Sequence, residues 1–190
     1  MNALQFRIKL EGKNLGRGIL KVDAFINHQV DPQLMHSCAI EFASRFLSAR
    51  PTKVLTAEIS GIAPALLTGL ELQVPIVYAR KTKPITMPDT VILTTAPSHT
   101  KGVMVDLMVS PEYLGKGERV LIIDDFLASG QTIMGLVRLA QAAGAEVIGI
   151  GALIEKTFEG GREMLEQAGL RVESLVRITA MTDDQIVFAD

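Results

Sequence analysis

Two adjacent carboxylates followed by small residues come directly after a strongly apolar segment in the middle of the chain. The segment is VLIIDDFLASGQT, residues 120–132, and its acids are Asp124 and Asp125. Such an apolar run is typical of a buried strand, and in open α/β sheets ligands bind where the strands end. Each carboxylate can accept a hydrogen bond from one hydroxyl of a cis-diol. The acid pair therefore predicts a ribose site.

The small residues after the acids predict a phosphate site. Ala128, Ser129 and Gly130 allow the backbone to approach a ligand closely, and a helix is predicted over 129–143. The first N–H groups of a helix have no intrahelical partners and lie at its positive end, so they bind anions. The hydroxyls of Ser129 and Thr132 can add hydrogen bonds. A capped helix after a buried strand would explain the serine and one acid, whereas a ribose 5'-phosphate explains the whole segment.

Apolar runs alternate with helical patterns along most of the chain. The predicted strands are 53–59, 75–80, 119–125 and 146–154, and the predicted helices are 32–50, 63–72 and 129–143. Near-continuous apolar strands separated by helices indicate a parallel sheet covered on both faces, which is a doubly wound α/β fold. Residues 81–105 carry three prolines and are predicted to form a long functional loop with a strand pair. The C-terminal runs VESLVRI and QIVFAD are predicted as strands outside the central sheet.

Composition and charge limit the classes of function. Hydrophobic residues make up 48% of the 190 residues and charged residues 21%, as in soluble globular proteins of one domain. The net charge is −2, and acidic and basic residues are interspersed along the chain, which argues against nucleic-acid binding. One cysteine, Cys38, cannot form an intramolecular disulfide, and neither a signal peptide nor a membrane-spanning run is evident. We expect a cytoplasmic protein without nucleic-acid or membrane partners.

The segment 120–132 resembles the signature of type I phosphoribosyltransferases. That signature has four apolar residues, two acids, two apolar residues, Ala or Asp, Thr or Ser, Gly, any residue and Thr. Ser129 replaces the commoner threonine, and Gln131 the commoner glycine. The resemblance implies that Asp124 and Asp125 hold the ribose hydroxyls of phosphoribosyl diphosphate. It also implies that the 5'-phosphate is held by Ala128, Ser129, Gly130, Gln131 and Thr132.

The order of features over the whole chain resembles the adenine and xanthine branch of this family. EISGIAP, residues 58–64, resembles the diphosphate loop of that branch, which implies that the backbone amides of Ser60 and Gly61 meet the leaving group. Lys81 follows the strand predicted at 75–80. A cation there can neutralise the departing diphosphate and the charge of the transition state, and we favour Lys81 over Arg80 for this role.

The parts of the chain that would recognise the base resemble xanthine phosphoribosyltransferases. The relevant segments are ILKVDAFINHQVDP near the N-terminus and IEKTFEGGR after the strand predicted at 146–154. The resemblance implies that Leu20 and Asn27 reach the base from an N-terminal hood and that Lys156 reaches it from a core strand. An ammonium only donates hydrogen bonds, and xanthine offers two carbonyl oxygens where adenine offers an amino group.

Further residues indicate which branch of the family the chain resembles and which side chains could contact the purine or accept its proton. Hypoxanthine-guanine members usually carry an aspartate where this chain has Ala128, which argues against that branch. His99 is a candidate proton acceptor, and Phe158 is a candidate for stacking on the base, although a loop histidine is usually just exposed and a lone aromatic residue is usually core.

The resemblance implies purine salvage by a homodimer, with Mg²⁺ bound through the diphosphate and no metal site made by the protein alone. We expect one domain, with a core of about 35–156 and a small hood from about 1–34 and 157–190. Adenine phosphoribosyltransferase is the alternative enzyme. A phosphoribosyl-diphosphate-sensing transcription regulator is the alternative from another class, but such regulators carry an extra N-terminal winged-helix domain and this chain shows no basic excess.

Overall fold

Ten strands and five α-helices make up the regular structure of this computed structural model within its described residues, 2–97, 103–182 and 185–189. The strands are β1 (Lys13–Asn14), β2 (Leu20–Lys21), β3 (Lys53–Ala57), β4 (Ile76–Ala79), β5 (Ile92–Pro97), β6 (Met104–Val109), β7 (Arg119–Leu127), β8 (Glu146–Lys156), β9 (Val172–Thr182) and β10 (Gln185–Phe188). The α-helices are α1 (Ala3–Glu11), α2 (Pro32–Phe46), α3 (Ile62–Leu72), α4 (Gln131–Ala142) and α5 (Gly161–Gln167).

Six strands form the central sheet, in the order β10-β9-β8-β7-β3-β4. Only the pair of β9 and β10 is antiparallel; the other neighbours are parallel. The strands β7 and β8 lie in the middle and read as apolar runs because both of their faces are buried. The predicted doubly wound, mainly parallel sheet is confirmed.

Each face of the sheet carries its own hydrophobic core. The helices α1, α2 and α3 cover one face, whereas α4, α5 and the hairpin of β5 and β6 cover the other. Successive side chains of a strand point to opposite faces, so Leu121 and Ile123 of β7 enter the first core while Val120 and Ile122 enter the second. The acid pair of β7 lies between these core residues and Phe126 and Leu127, which pack against the first and second core, respectively.

The helix predicted after Asp31 is present as α2. The Asp31 carboxylate accepts hydrogen bonds of 3.0 Å from the backbone N–H groups of Gln33 and Leu34, and Pro32 occupies the first turn. This is a favourable N-cap followed by a residue whose backbone angle suits a helix start. The fully buried side chains of Phe42 and other residues on the same stripe then fasten α2 to the sheet.

Three features differ from the sequence predictions. The C-terminal strands were predicted outside the central sheet, but β9 pairs with β8 and β10 pairs with β9. Charged residues such as Glu173 and Arg177 interrupt the apolar run of β9, because only some positions of this near-edge strand are deeply buried. The strand β7 continues past the acid pair to Leu127, and α4 begins at Gln131 rather than at Ser129.

A strand pair was predicted between residues 81 and 105, and the antiparallel pair of β5 and β6 is present, but β6 lies mostly beyond that range and ends at Val109. His99 lies outside the described residues. The N-terminal part of the chain adds the small sheet of β1 and β2 and a turn of π-helix over Asp23–Asn27. The division into core and hood remains a prediction. None of the helices in the described ranges has the length and apolar character that crossing a bilayer requires.

Candidate active site

A cleft of about 530 Å³ opens where β3, β7 and β8 end. Its volume is within the range of small-molecule sites. All predicted site residues except Gly61 line it, namely Leu20, Asn27, Ser60, Lys81, Asp124, Asp125, Ala128, Ser129, Gly130, Gln131, Thr132 and Lys156. The fold thus brings together segments from five separate parts of the chain, while the role of each residue remains a prediction.

The acid pair lies within β7 and is largely buried. Asp124 and Asp125 are each 8% exposed, and the backbone N–H of Asp125 donates to Asp124 Oδ1 over 3.0 Å. Burial and then the neighbouring charge of Asp125 raise the pKa of Asp124 well above its ordinary value, and the positive charge of Lys81 acts in the opposite direction. A carboxylate in this setting is stabilised by hydroxyl donors or by a cation that enters the cleft.

Gly61 packs behind Asp124 instead of lining the cleft. A β-carbon at this position would lie 2.8 Å from Asp124 Oδ1 and would overlap the hydroxyl of Thr56. Only glycine lets the loop approach the acid this closely. The sequence did not indicate this packing, since it requires β3 and β7 to be neighbours. The predicted contact between the Gly61 amide and diphosphate remains a prediction.

Glu58 holds the segment that carries Lys81. The backbone N–H of Lys81 donates to Glu58 Oε1 over 2.5 Å, and Arg80 Nε lies 2.7 Å from Glu58 Oε2. Lys81 lines the cleft, whereas Arg80 does not. This agrees with the choice of Lys81 over Arg80 as the residue that faces the ligand. Glu58 also lines the cleft and was missed as a site residue, although its position at the end of the predicted strand 53–59 was a usable signal.

The predicted phosphate loop connects β7 to α4. Gly130 has φ +75°, a left-handed conformation that glycine adopts without a steric penalty, and it precedes the first residue of α4. Gln131 and Thr132 form the start of that twelve-residue helix and line the cleft. An anion at this end of the cleft would therefore face the positive end of the helix.

Lys156 also lines the cleft. It is the last residue of β8 and is 7% exposed. Its ammonium lies 3.4 Å from Glu159 Oε1 and 5.6 Å from the centre of the Phe126 ring. A lysine buried to this extent keeps its donors close to whatever occupies the cleft. Leu20, which also lines the cleft, is buried, and Asn27 remains exposed at the end of the π-helical turn.

The aromatic residue of the cleft is Phe126 rather than Phe158. Phe126 lines the cleft, whereas Phe158 does not line it and is 46% exposed. The alternation of side chains in β7 shifts near the acid pair, because Phe126 packs against the first core whereas Leu127 enters the second. Simple two-residue spacing therefore could not place Phe126 in the cleft. The stacking of Phe158 on the base remains a prediction, and Phe126 is a second aromatic candidate for it.

The chain is similar to phosphoribosyltransferases in sequence. Residues 47–168 match the phosphoribosyl transferase domain. A xanthine phosphoribosyltransferase of Leuconostoc mesenteroides is 47% identical over 99% of this chain and 100% of that protein. A xanthine phosphoribosyltransferase of Latilactobacillus sakei is 49% identical over 100% of this chain and 97% of that protein.

Solved structures give the same fold. An APRTase from Giardia lamblia, complexed with 9-deazaadenine, aligns with a TM-score of 0.79 and 22% identity over 95% of this chain and 100% of that one. The adenine phosphoribosyltransferase of Rhodothermus marinus aligns with a TM-score of 0.75 and 24% identity over 92% of this chain and 98% of that one. Together with the acid pair, the loop and the helix start that share the cleft, these similarities show that the chain belongs to the phosphoribosyltransferase family.

Proposed function

We propose that this protein transfers the 5-phosphoribosyl group of phosphoribosyl diphosphate to xanthine, giving xanthosine 5'-monophosphate and diphosphate in purine salvage. The observation that carries the proposal is that Lys156 and Asn27 line the same cleft as the ribose-phosphate segment. The one cleft therefore carries candidate contacts for both halves of one nucleotide. The full-length similarity to xanthine phosphoribosyltransferases supports the same substrate.

The reaction exchanges one bond at the anomeric carbon of the ribose. The bond from C1' to the diphosphate oxygen breaks and its electron pair leaves with diphosphate, while a purine nitrogen supplies the electron pair of the new bond to C1'. The proton of that nitrogen is released to water or to a base. Because the transition state resembles an oxocarbenium ion, catalysis requires positioning and charge stabilisation and no covalent nucleophile.

Three charged side chains divide these tasks in the proposal. Asp124 and Asp125 accept hydrogen bonds from the ribose hydroxyls and orient the ring. Lys81, which lines the same cleft, neutralises the departing diphosphate. The influence of the Lys81 charge on the pKa of Asp124 supports their common site.

Phosphoribosyltransferases generally use Mg²⁺ with their diphosphate substrate, and the donor set of this cleft fits that use. Within residues 2–97, 103–182 and 185–189, no cluster of three or more His, Cys, Asp or Glu side chains could hold a metal ion. Mg²⁺ keeps several water ligands and binds substrate phosphates together with one or two carboxylates. We propose that diphosphate oxygens and water hold most of the ion, with Asp124 or Asp125 adding an oxygen. The ion would offset the charge of the leaving group.

The choice between xanthine and adenine depends on Lys156. The aligned solved structures are adenine enzymes, but at identities under 25% they support only the fold. A buried ammonium donates hydrogen bonds to carbonyl oxygens and cannot accept one from an amino group. Xanthine therefore satisfies Lys156, whereas adenine would leave it facing a donor.

A comparison of bases tests the proposal. We expect the purified protein to form product from phosphoribosyl diphosphate and xanthine with kcat/KM at least about 100-fold above that for adenine, because an unpaired buried polar group penalises the wrong base. Lys156→Met should reduce that preference, while the matched exposed change Lys116→Met should leave it unchanged. A preference of the unaltered protein for adenine would refute the assignment of xanthine. Absence of turnover with any purine, together with DNA binding, would favour the transcription regulator.

A further inference from the structure

The short helix α5 packs directly against the back of the phosphate loop. The backbone N–H of Gly161 donates to the carbonyl oxygen of Ala128 over 3.0 Å. A β-carbon on Gly161 would overlap that oxygen and would lie 2.7 Å from the nitrogen of Gly130. Because both of these neighbours are backbone atoms, a side chain at position 161 can only be accommodated if the loop or the helix moves.

The contact extends along α5 to Met164. A β-carbon on Gly130 would lie 2.8 Å from Met164 Cε, and Gln131 Nε2 lies 3.6 Å from Met164 Sδ. The α5 helix therefore contacts the backbone of Ala128 and Gly130 and the side chain of Gln131, three residues that also line the cleft. None of the α5 residues lines the cleft.

A buried ion pair holds α5 to the strand that carries Lys156. The guanidinium of Arg162 binds both carboxylate oxygens of Glu155, with distances of 2.8 Å from Nε and 2.6 Å from Nη2. The side chains are 17% and 1% exposed, respectively. Glu155 and Lys156 are neighbours in β8, so their side chains point to opposite faces. Arg162 therefore binds β8 at Glu155, one residue before Lys156.

We propose that Gly161 and Arg162 are positioning residues that set the distance between the phosphate loop and Lys156. Gly161 sets how closely the loop approaches α5, and Arg162 sets where α5 lies relative to the end of β8. The helix α5 thereby fixes the distance between the phosphate loop and Lys156, although no residue of α5 lines the cleft. This inference rests on the proposed function, because it takes the loop as the site of the 5'-phosphate and Lys156 as the contact with the base.

Calorimetric binding of two fragments tests the role of Gly161 without turnover. Ribose 5-phosphate requires the phosphate loop, whereas diphosphate with Mg²⁺ binds at the wall of Ser60 and Lys81. For Gly161→Ala we expect the affinity for ribose 5-phosphate to fall about tenfold or more, since small displacements of a binding loop have effects of this order, and the affinity for diphosphate to change less than about twofold. Gly115→Ala is the matched control, because a β-carbon there has no neighbour within 4 Å.

Equal losses for both fragments, or an unchanged affinity for ribose 5-phosphate, would overturn the proposal. If Gly161→Ala does not fold, Met164→Ala serves instead, because it removes the contact with Gly130 and Gln131 without adding an atom; the same selective loss is expected, and its absence overturns the proposal. Failure of the unaltered protein to bind ribose 5-phosphate would instead contradict the proposed function, so the two failures are distinguishable.

Discussion

The Asp124 carboxylate is proposed to bind the ribose, but its burial in ionised form lowers the stability of the free protein. Burial first and the charge of Asp125 second raise its folded-state pKa well above the ordinary value. A carboxyl group with a raised folded-state pKa stabilises the fold below its unfolded-state pKa, and that contribution is lost as the pH rises through the folded-state value. At neutral pH the ionised form therefore weakens the free protein, and a bound ribose or cation compensates for it.

Replacement of this acid should stabilise the protein and impair it as an enzyme. For Asp124→Asn we expect the free energy of unfolding at neutral pH to rise by about 1 kcal/mol, in the range of stabilising changes at strained sites. We expect kcat/KM to fall at least about 100-fold because hydroxyl-binding charge is lost. Urea unfolding and steady-state kinetics measure the two effects, with Asp89→Asn on the exposed surface as the control. A variant that is less stable than the unaltered protein at neutral pH would contradict this interpretation.

At the scale of elements, the sequence predicted the parts of the site that follow local patterns. The apolar run before Asp124 predicted a buried strand, and the small residues after it predicted a turn and a helix start, both of which are present in β7 and α4. The packing of Gly61 against Asp124 and of Gly161 against the loop could not be predicted, because each depends on which elements become neighbours in the sheet. The place of β9 was mispredicted for the same reason, because its position depends on its pairing with β8.

The link between β8 and α5 gives a prediction for the element scale. Although burial alone would raise the pKa of Glu155, the hydrogen bonds and charge of Arg162, with help from Ser174 and Arg177, lower it. Arg162→Met would leave this carboxylate buried without its main partner, so we expect the free energy of unfolding to fall by about 3–5 kcal/mol. Lys83→Met, in an exposed pair, should cost no more than about 1 kcal/mol.

The pH dependence of that loss has a definite sign. A carboxyl group with a lowered folded-state pKa stabilises the fold above its unfolded-state value of ~4.3, and this stabilisation is lost as the pH falls through the folded-state pKa. The difference in unfolding free energy between the unaltered protein and Arg162→Met should therefore be largest near neutral pH and shrink in acid. Urea unfolding across this range measures it, and a difference that does not depend on pH would contradict the account of Glu155.

At the scale of the whole molecule, an exposed apolar patch on one side of the sheet supports the predicted homodimer. Leu66 and Leu70 on α3 are 54% and 64% exposed, and Tyr78 on the edge strand β4 is 41% exposed. Ile76 lies against Gly69 of α3, so Tyr78, two residues further, faces the same side. Exposed apolar side chains that share one side of a fold are typical of an interface, and we expect a second copy of the chain to cover them.

Sedimentation measures the assembly directly. We expect a mass of two chains for the unaltered protein and of one chain for Leu66→Glu, because a buried unpaired charge would oppose association. Leu93→Glu, on the hairpin across the sheet, is the matched control and should remain a dimer. A monomer for the unaltered protein, or a dimer for Leu66→Glu, would contradict this assignment of the interface.

The most direct test of the proposed site is a crystal structure of the protein with xanthosine 5'-monophosphate. The predicted result is that phosphate oxygens lie about 3 Å from backbone nitrogens of residues 129–132, and that a purine carbonyl oxygen lies about 3 Å from Lys156 Nζ. The ribose hydroxyls should meet Asp124 and Asp125. A nucleotide with its phosphate at Ser60 and Lys81, or with its base away from Lys156, would contradict the claim that one cleft holds both halves of the product.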